Sequence, residues 1–579
     1  MNRLTQKTYP DSTTVNYTYD LDSRLTAVTD PTGTYSFTFD NLSAGYKYSP
    51  HPMGRLTGTS TNYSFLTSRS FTTSYTYDKA SNRTGFTDPE NGSTTYAYDT
   101  LNRLQTLTPP SAFTSGSFGF SYDALSRRTQ MTRPNSITTN YSYDNLSRLL
   151  SVLHQSGTTT FDGAIYTVDN AGNRASKADQ RAGVTSNYTY DPIYELTQVT
   201  QGTNTTESYS YDAVGNRLSS LGVSPYSFNT SNELTSTPSA TYTYDYNGNT
   251  TSKTDSTGTT NYTWDFENRL ASVTLPGSGG AVSFKYDPFG RRIYKSSSSG
   301  TSIFAYDQDN LIEETNASGG VVARYSQTDS IDEPVAMLRA GTTSYYQADG
   351  LGSVTSLSNT AGALAQTYTF DSFGKQTASS GSLTNPFQFT GREFDSETSL
   401  YYYRARYYDP RPGRFLSEDP VGPKKEGPNL YEYVSDNPIM SVDPLGRFKI
   451  DKTCTDHPCV SIGGGGPNNP TQAPHQANVQ QLLQQAGDEA CSNLNGITDP
   501  KVRSCVQKRC KSGTIKCSDN CAPGRFAQAP LSGSTATMCL NGWPDWTQPF
   551  DIGQRIVHEF AHTCGWHDGQ GGGVPDWPR

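Results

Sequence analysis

Through the first three quarters of the chain, aromatic and β-branched positions alternate with small polar ones, in stretches such as "TSYTYD", "TTYAYD" and "TNYSYD" that end on an Asp. An alternation of period two predicts strands that bury one face. The closing residues are Asp20, Asp40, Asp78, Asp99, Asp123, Asp144, Asp169, Asp191, Asp212, Asp245, Asp265, Asp287 and Asp307, most of them 20 to 25 residues from the next. Many lead into Asn-Arg or Ser-Arg and an apolar pair, as in "YDTLNRLQTL" and "YDNLSRLLSV". Asp and Asn side chains satisfy local backbone groups, and Gly supplies positive φ in "DAVGNR" and "DNAGNR", so these segments read as turns. Each unit is then a hairpin that cannot bury its own apolar face. Many joined edge to edge give a long, twisted antiparallel sheet that curls on itself. Repeated aromatics at strand spacing are in the first place core; a sugar-binding role for exposed ones is the sharper reading.

The pattern stops at residue 447. All nine cysteines and four of the five tryptophans lie beyond it. Residues 448 to 579 hold 11 Lys+Arg and 11 Asp+Glu, so the whole net charge of −9 sits before them. Neither part has the basic excess that a nucleic-acid binder needs to neutralise phosphates, which disfavours a nuclease and a nucleic-acid partner. No apolar stretch reaches the roughly 20 residues needed to cross a bilayer. The start, "MNRLTQKTYPDSTTVNYTYD", lacks the apolar core of a signal peptide and lies already inside the repeats. The expectation is a specialised secretion route, or a reading frame that is the C-terminal piece of a longer protein.

The repeats, followed by "YYQADGLGSVTSLSNTAGALAQTYTFDSFG", "NPFQFTGREFDSETSLYYYRARYYDPRPGRFLSEDPVG" and "NLYEYVSDNPIMSVDPLGR", resemble the Rhs (YD-repeat) polymorphic toxins and the C components of Tc toxin complexes. The resemblance divides the chain into a YD-repeat β-shell over 1–310, an Rhs core-associated region over 311–447, and a C-terminal toxin domain over 448–579. It implies a hollow β-cocoon that encloses the toxin, a delivery apparatus and a small immunity protein. The family boundary PxxxxDPxGL is matched by Pro438 to Arg447, with Arg in place of the last Leu. Members of the family cut themselves just after this motif with an aspartate pair, which the motifs match to Asp419 of "SEDP" and Asp443 of "VDPLG". Two carboxylates sharing a site force one to keep a proton and serve as acid while the other activates water. As ordinary turns, both Asp-Pro pairs would do none of this.

The tail opens with a Cys pair and a Gly/Pro-rich linker, continues with the helix-like "ANVQQLLQQAGDEACSNL", and turns Cys-dense in "CVQKRCKSGTIKCSDNCAPG". This cysteine density is that of a disulfide scaffold. Cys454, Cys459, Cys491, Cys505, Cys510, Cys517, Cys521 and Cys539 are the disulfide candidates, and Cys564 is a ninth thiol. Connectivity stays open. A structural zinc on Cys505, Cys510, Cys517 and Cys521 is the rival, although its spacings are not those of a CxxC knuckle.

The last motif, "RIVHEFAHTCGWHDGQGG", carries the chemistry. In "HEFAH", His558 and His562 stand four apart, so a helix points both imidazoles from one face toward one Zn2+, with Glu559 beside the open coordination position as general base. A zinc-bound water would lose its proton to Glu559 and attack a carbonyl polarised by the metal. Ile552, Ile556, Val557 and Phe560 form the helical stripe, and Gly565 is placed as a C-cap. The third ligand is Asp568, with His567 and then Asp576 as rivals. The pattern through Gly565 and Asp568 resembles the metzincin signature with Asp in the last position, but no Met follows to make a Met-turn. The tail is expected to be a small α+β, zincin-like domain. Upstream, "GWPDWTQPFD" resembles the strand that precedes the active-site helix in small zincins, with Trp543 and Trp546 as core or substrate contacts.

The sequence thus reads as a mainly β protein, a secreted toxin delivered to a target cell, whose shell carries a zinc peptidase acting on a protein or peptide substrate. Two other readings compete. One is a non-catalytic YD-repeat adhesin that binds glycans. The other is a peptidoglycan endopeptidase using the same zinc site.

Overall fold

The computed structural model describes residues 3–40, 54–422 and 429–447, together with the backbone of four short strands, Ile450–Asp451, Thr514–Ser518, Ala527–Gln528 and Thr535–Cys539. Its regular structure is almost entirely antiparallel strand. Within each of the large sheets a strand pairs with the next in chain order, as when Phe71–Tyr77 pairs with Arg83–Thr87, and that with Ser93–Tyr98. The predicted alternation is visible in the side chains: along Phe71–Tyr77, Phe71, Thr73 and Tyr75 are buried and Thr72, Ser74 and Thr76 exposed.

The turns show why the repeat has its composition. In Asp99–Arg103, Asn102 takes a left-handed φ of 59°. Asp99 Oδ1 accepts the N–H groups of Leu101 (2.9 Å) and Arg103 (3.0 Å), and Oδ2 accepts Arg103 Nε at 2.6 Å. Arg103 Nη1 then reaches the Asp123 carbonyl of the following turn (3.2 Å), and its guanidinium lies over Tyr122. The Tyr122 hydroxyl closes the loop by donating to the Leu104 carbonyl at 2.7 Å. One Arg therefore ties its own turn to the next. Arg127, Arg148, Arg269 and Arg291 repeat the device.

Where Asn follows the left-handed corner, it takes over the capping role, as Asn82, Asn173 and Asn216 do, and the Arg one place later points inward. Arg83, Arg174 and Arg217 are buried in this way. These inward arginines link layers. Arg83 bonds Asp307 and Asp329 at 2.5 and 2.6 Å, although they lie more than 200 residues along the chain.

One uninterrupted sheet was expected, and the ladder instead forms two, of 19 and 16 strands. It stops after Arg217–Ser220 and resumes at Ser227–Phe228. Between them Gly222 turns the chain with φ 74°, and Pro225 has no N–H to give a ladder. The second sheet passes residue 310 unbroken, with Asp307 paired to Asn310. The two sheets share one apolar core, running from Val15 to Met131 in the first and Ile293 to Tyr345 in the second. Among the described residues no helix is long and apolar enough to cross a membrane.

Candidate functional site

Residues 387–422 and 429–447 form a compact module held by both sheets. Its own four-stranded sheet comprises Glu393–Asp395, Leu400–Tyr403, Arg406–Asp409 and Arg414–Phe415. Tyr401, Tyr403, Tyr408 and Tyr433 pack against Leu196, Val199 and Tyr209 of the first sheet, while Tyr402 and Tyr407 pack against Tyr262, Phe284 and Tyr286 of the second. Strand alternation sends successive tyrosines to opposite faces, which is how one "YYY" run serves two cores. Charges fix the docking: Arg292 of the second sheet, 2% exposed, bonds Glu393 and Asp395 of the module. Asp332, from the second sheet's connecting loop, meets both Arg392 and Arg404.

The turn between Leu400–Tyr403 and Arg406–Asp409 grips the boundary segment. Arg404 takes φ 56°. Its Nη1 donates to the Pro444 carbonyl. The Ala405 N–H donates to the Leu445 carbonyl at 3.2 Å, and Arg406 Nε to the Gly446 carbonyl at 2.6 Å. Three consecutive residues therefore hold three consecutive carbonyls. Gly446 has φ 67°, and a Cβ there would lie 2.3 Å from the Tyr403 carbonyl oxygen, so this position of the motif admits only glycine.

The two sequence-predicted aspartates meet here. Arg406 Nη2 lies 2.6 Å from Asp419 Oδ2 and 3.1 Å from Asp443 Oδ2. Both carboxyls are buried, each about 3% exposed, and the guanidinium between them is stacked 3.6 Å over the Phe415 ring. Asp419 Oδ1 accepts the Val421 N–H (2.8 Å), and Asp443 Oδ1 accepts the Arg447 N–H (3.0 Å). Burial raises the Tyr403 and Tyr433 phenols above the ordinary tyrosine range, and the two hydroxyls bond each other at 3.1 Å. In so little water a charge pair and a polarised carbonyl count for more than at a surface.

Sequence reasoning named both aspartates and missed Arg404 and Arg406. A signal was present: two arginines inside the tyrosine-rich "LYYYRARYYD" must be paired to be buried. A second signal is internal. "DPLGR" at 443–447 repeats "DPFGR" at 287–291, a shell turn in which Arg291 Nε bonds Asp287 Oδ2 at 2.6 Å. The boundary is one more such turn, except that Arg406 takes the aspartate oxygen which the local Arg takes elsewhere. Just beyond, Ile450–Asp451 pairs with Ser441–Val442, so the chain doubles back on the module as it leaves.

Comparison with known proteins agrees with this architecture. Residues 178–439 match the Teneurin YD-shell family model, and residues 2–35 the RHS Repeat model. Over those residues the chain is similar to the YD-shell and RHS-repeat families, and its antiparallel sheets have the architecture of a YD-repeat β-shell. The tRNA3(Ser)-specific nuclease WapA of Bacillus spizizenii is 30% identical to the chain over 311 residues, which is 51% of the chain and 11% of that protein. The double-stranded DNA deaminase toxin A of Burkholderia cenocepacia is 34% identical over 113 residues, 19% of the chain and 8% of the deaminase. The chain thus spans about a tenth of the length of such relatives. Among solved structures, the shell superposes on TcdB2-TccC3 without its hypervariable C-terminal region with a TM-score of 0.57 at 18% identity, covering 76% of the chain and 28% of the other.

The zinc-motif residues His558, Glu559, His562, His567, Asp568 and Asp576 lie outside the described residues. So do Cys454, Cys459, Cys491, Cys505, Cys510, Cys521 and Cys564, whereas Cys517 and Cys539 fall on two of the backbone strands. Thr514–Ser518 and Thr535–Cys539 pair in parallel, with Ala527–Gln528 antiparallel to the latter. Among the described residues no group of three or more His, Cys, Asp or Glu is arranged to hold a metal.

Proposed function

We propose that this chain is the shell and payload of a toxin delivered to a target cell, and that the shell separates from residues 448–579 by cutting itself at the boundary. One observation carries the reading: Asp419 and Asp443, 24 positions apart in sequence, share the guanidinium of Arg406 at the point where shell gives way to tail. A carboxylate pair beside a peptide carbonyl already bonded to a cation is the equipment of acid–base hydrolysis. An adhesin needs no such site at its boundary.

The payload is proposed to be a zinc peptidase. His558, His562 and Asp568 would hold Zn2+, which when bound supplies a polarising charge for an amide carbonyl, and Glu559 would take the proton of the attacking water. The HEFAH spacing supports this, and the neutral charge of the tail fits a substrate that is not a polyanion. A neutralising immunity protein and a delivery apparatus are the partners this reading requires. The second reading, a payload acting on nucleic acid, is favoured by the names of the nuclease and deaminase relatives.

The test is the full chain, folded under oxidising conditions, beside Glu559→Gln. About one zinc per chain in both, with peptide or muropeptide cleavage by the wild type alone, supports the peptidase. Degradation of tRNA or deamination of DNA that persists in Glu559→Gln, with no peptide or muropeptide cleavage by the wild type, establishes the second reading instead.

A further inference from the structure

In the shell turns, Arg103 and Arg127, or Asn173 and Asn216, donate to the second carboxylate oxygen of the Asp that leads the turn. Where Glu233 holds the donor's place, the leading residue is Asn229, and its amide donates to the Glu. The turn from Asp191 to Glu195 makes no such exchange. Glu195 is 6% exposed, and it can donate to Asp191 only as a carboxylic acid.

This turn belongs to the end of the first sheet. Arg217 opens the last strand of that sheet, Phe228 lies in the first strand of the second, and both line one small cavity with Arg414, Glu432 and Asp436 of the module. A Cβ at Gly215 would lie 3.2 Å from Glu432 Oε2 and 3.4 Å from Asp436 Oδ2, so two module carboxyls converge on one shell turn. Asp436 is 3% exposed, and its Oδ2 has no hydrogen-bond partner. The nearby cations are turned to rings: Arg217 lies 3.7 Å over Phe373, and Arg414 lies 4.8 Å over Tyr431. The backbone that delivers Asp436 is itself strained. Val434, Ser435 and Asp436 take φ of 48°, 53° and 51°, a left-handed run that costs L-residues energy.

We infer that Glu195, Glu432 and Asp436 form a proton-held latch: while it is protonated the module stays seated on the end of the first sheet, and when it ionises the junction opens. Burial, then Asp191, Glu432 and Asp212, push Glu195 up to about 8. Burial and Glu432 raise Asp436 well above the ordinary range, with Glu195 adding to the shift and Arg217 and Arg414 opposing it. Tyr211, raised by burial, faces the same groups as a neutral phenol. An opened junction gives up the Glu195 proton above about pH 4.5, the ordinary glutamate value. The hold is therefore complete below that value and is lost as pH rises through 8. The proton leaves to solvent, the carboxylates left behind repel, and the strained turn relaxes away from the sheet. The latch belongs to the shell and is independent of the payload's chemistry.

The experiment is hydrogen exchange by mass spectrometry on the full chain at pH 5 and pH 8, for the wild type, Glu195→Gln and Asp436→Asn. Comparing chains at the same pH cancels the intrinsic pH dependence of exchange. Gln at 195 keeps the size of the side chain and gives Asp191 a donor at every pH. At pH 5 the chains should match. At pH 8 the wild type should exchange on the order of tenfold faster than Glu195→Gln over 191–217 and 429–436, while the hairpins over 99–127 stay equally protected. Asp436→Asn removes one of the facing charges and should fall between the two. Wild-type exchange at the junction no faster than that of both variants at pH 8 would overturn the latch. Acceleration of equal size over 99–127 would do so as well, since that is melting of the whole shell. Should Glu195→Gln not fold, the wild type against Asp436→Asn decides the matter.

Discussion

At the scale of single residues, the shell turns depend on one carboxylate with two duties. Asp123 accepts two backbone N–H groups through Oδ1, at Leu125 (2.9 Å) and Arg127 (3.0 Å), and the Arg127 guanidinium through Oδ2. The pair is partly exposed, so its charge contributes little, whereas the lost backbone bonds would leave two donors unmet. Asp123→Asn should therefore cost roughly 0.5–1 kcal/mol and Asp123→Ala about 1–2 kcal/mol. The denaturant midpoint of the two variants checks this. Equal losses would mean that the carboxylate serves its Arg alone and the turn does not need it. The Asp at each hairpin end was legible in the sequence as turn chemistry. The role of the following Arg was not, because its partner is the carbonyl of the next turn and its aromatic neighbour belongs to the next strand.

At the scale of elements, the contacts that join the sheets are unusually polar, and some of their carboxyls are held neutral. Asp371, at the turn after Leu364–Phe370, has its pKa pushed up to about 7 by burial and then by Glu207 of the first sheet. Glu313, in Asn310–Thr315, is pushed up to about 7 by burial, although Arg69 opposes the shift. Such a group stays protonated in the fold where the unfolded chain would ionise it above about pH 4. The folded state binds the extra proton, so the stabilisation is complete below about pH 4 and is lost as pH climbs through 7. The thermal midpoint of the shell should accordingly fall between pH 5 and 8. Glu207→Gln should flatten part of that fall by lowering the Asp371 pKa. A midpoint that rises over this interval would show that the depressed carboxylates elsewhere, such as Asp349 beside Lys177, dominate instead.

At the scale of the whole molecule, the boundary module is the piece that both sheets close upon, and Arg292 is its most deeply buried charge contact with the second sheet. Removing that charge would strand Glu393 in the core and leave Asp395 to Lys295 alone, at a cost of about 3–5 kcal/mol. Arg292→Met should loosen the module and open the 387–447 segment to limited proteolysis while the outer hairpins keep their resistance. Uniform protection of that segment in the variant would mean that the tyrosine cores alone retain it. The sequence by itself determined the hairpins, their Asp-led turns, the edge-to-edge array and the change of character at residue 447. Each of these is written in neighbours a few positions apart, through period-two alternation and local backbone satisfaction. Only the tertiary structure decided that the ladder breaks at Pro225 into two sheets, and that the inward arginines meet carboxylates more than 200 residues away. It alone brought Arg406 between Asp419 and Asp443, because buried charges choose their partners by proximity in the packed core and not by spacing along the chain.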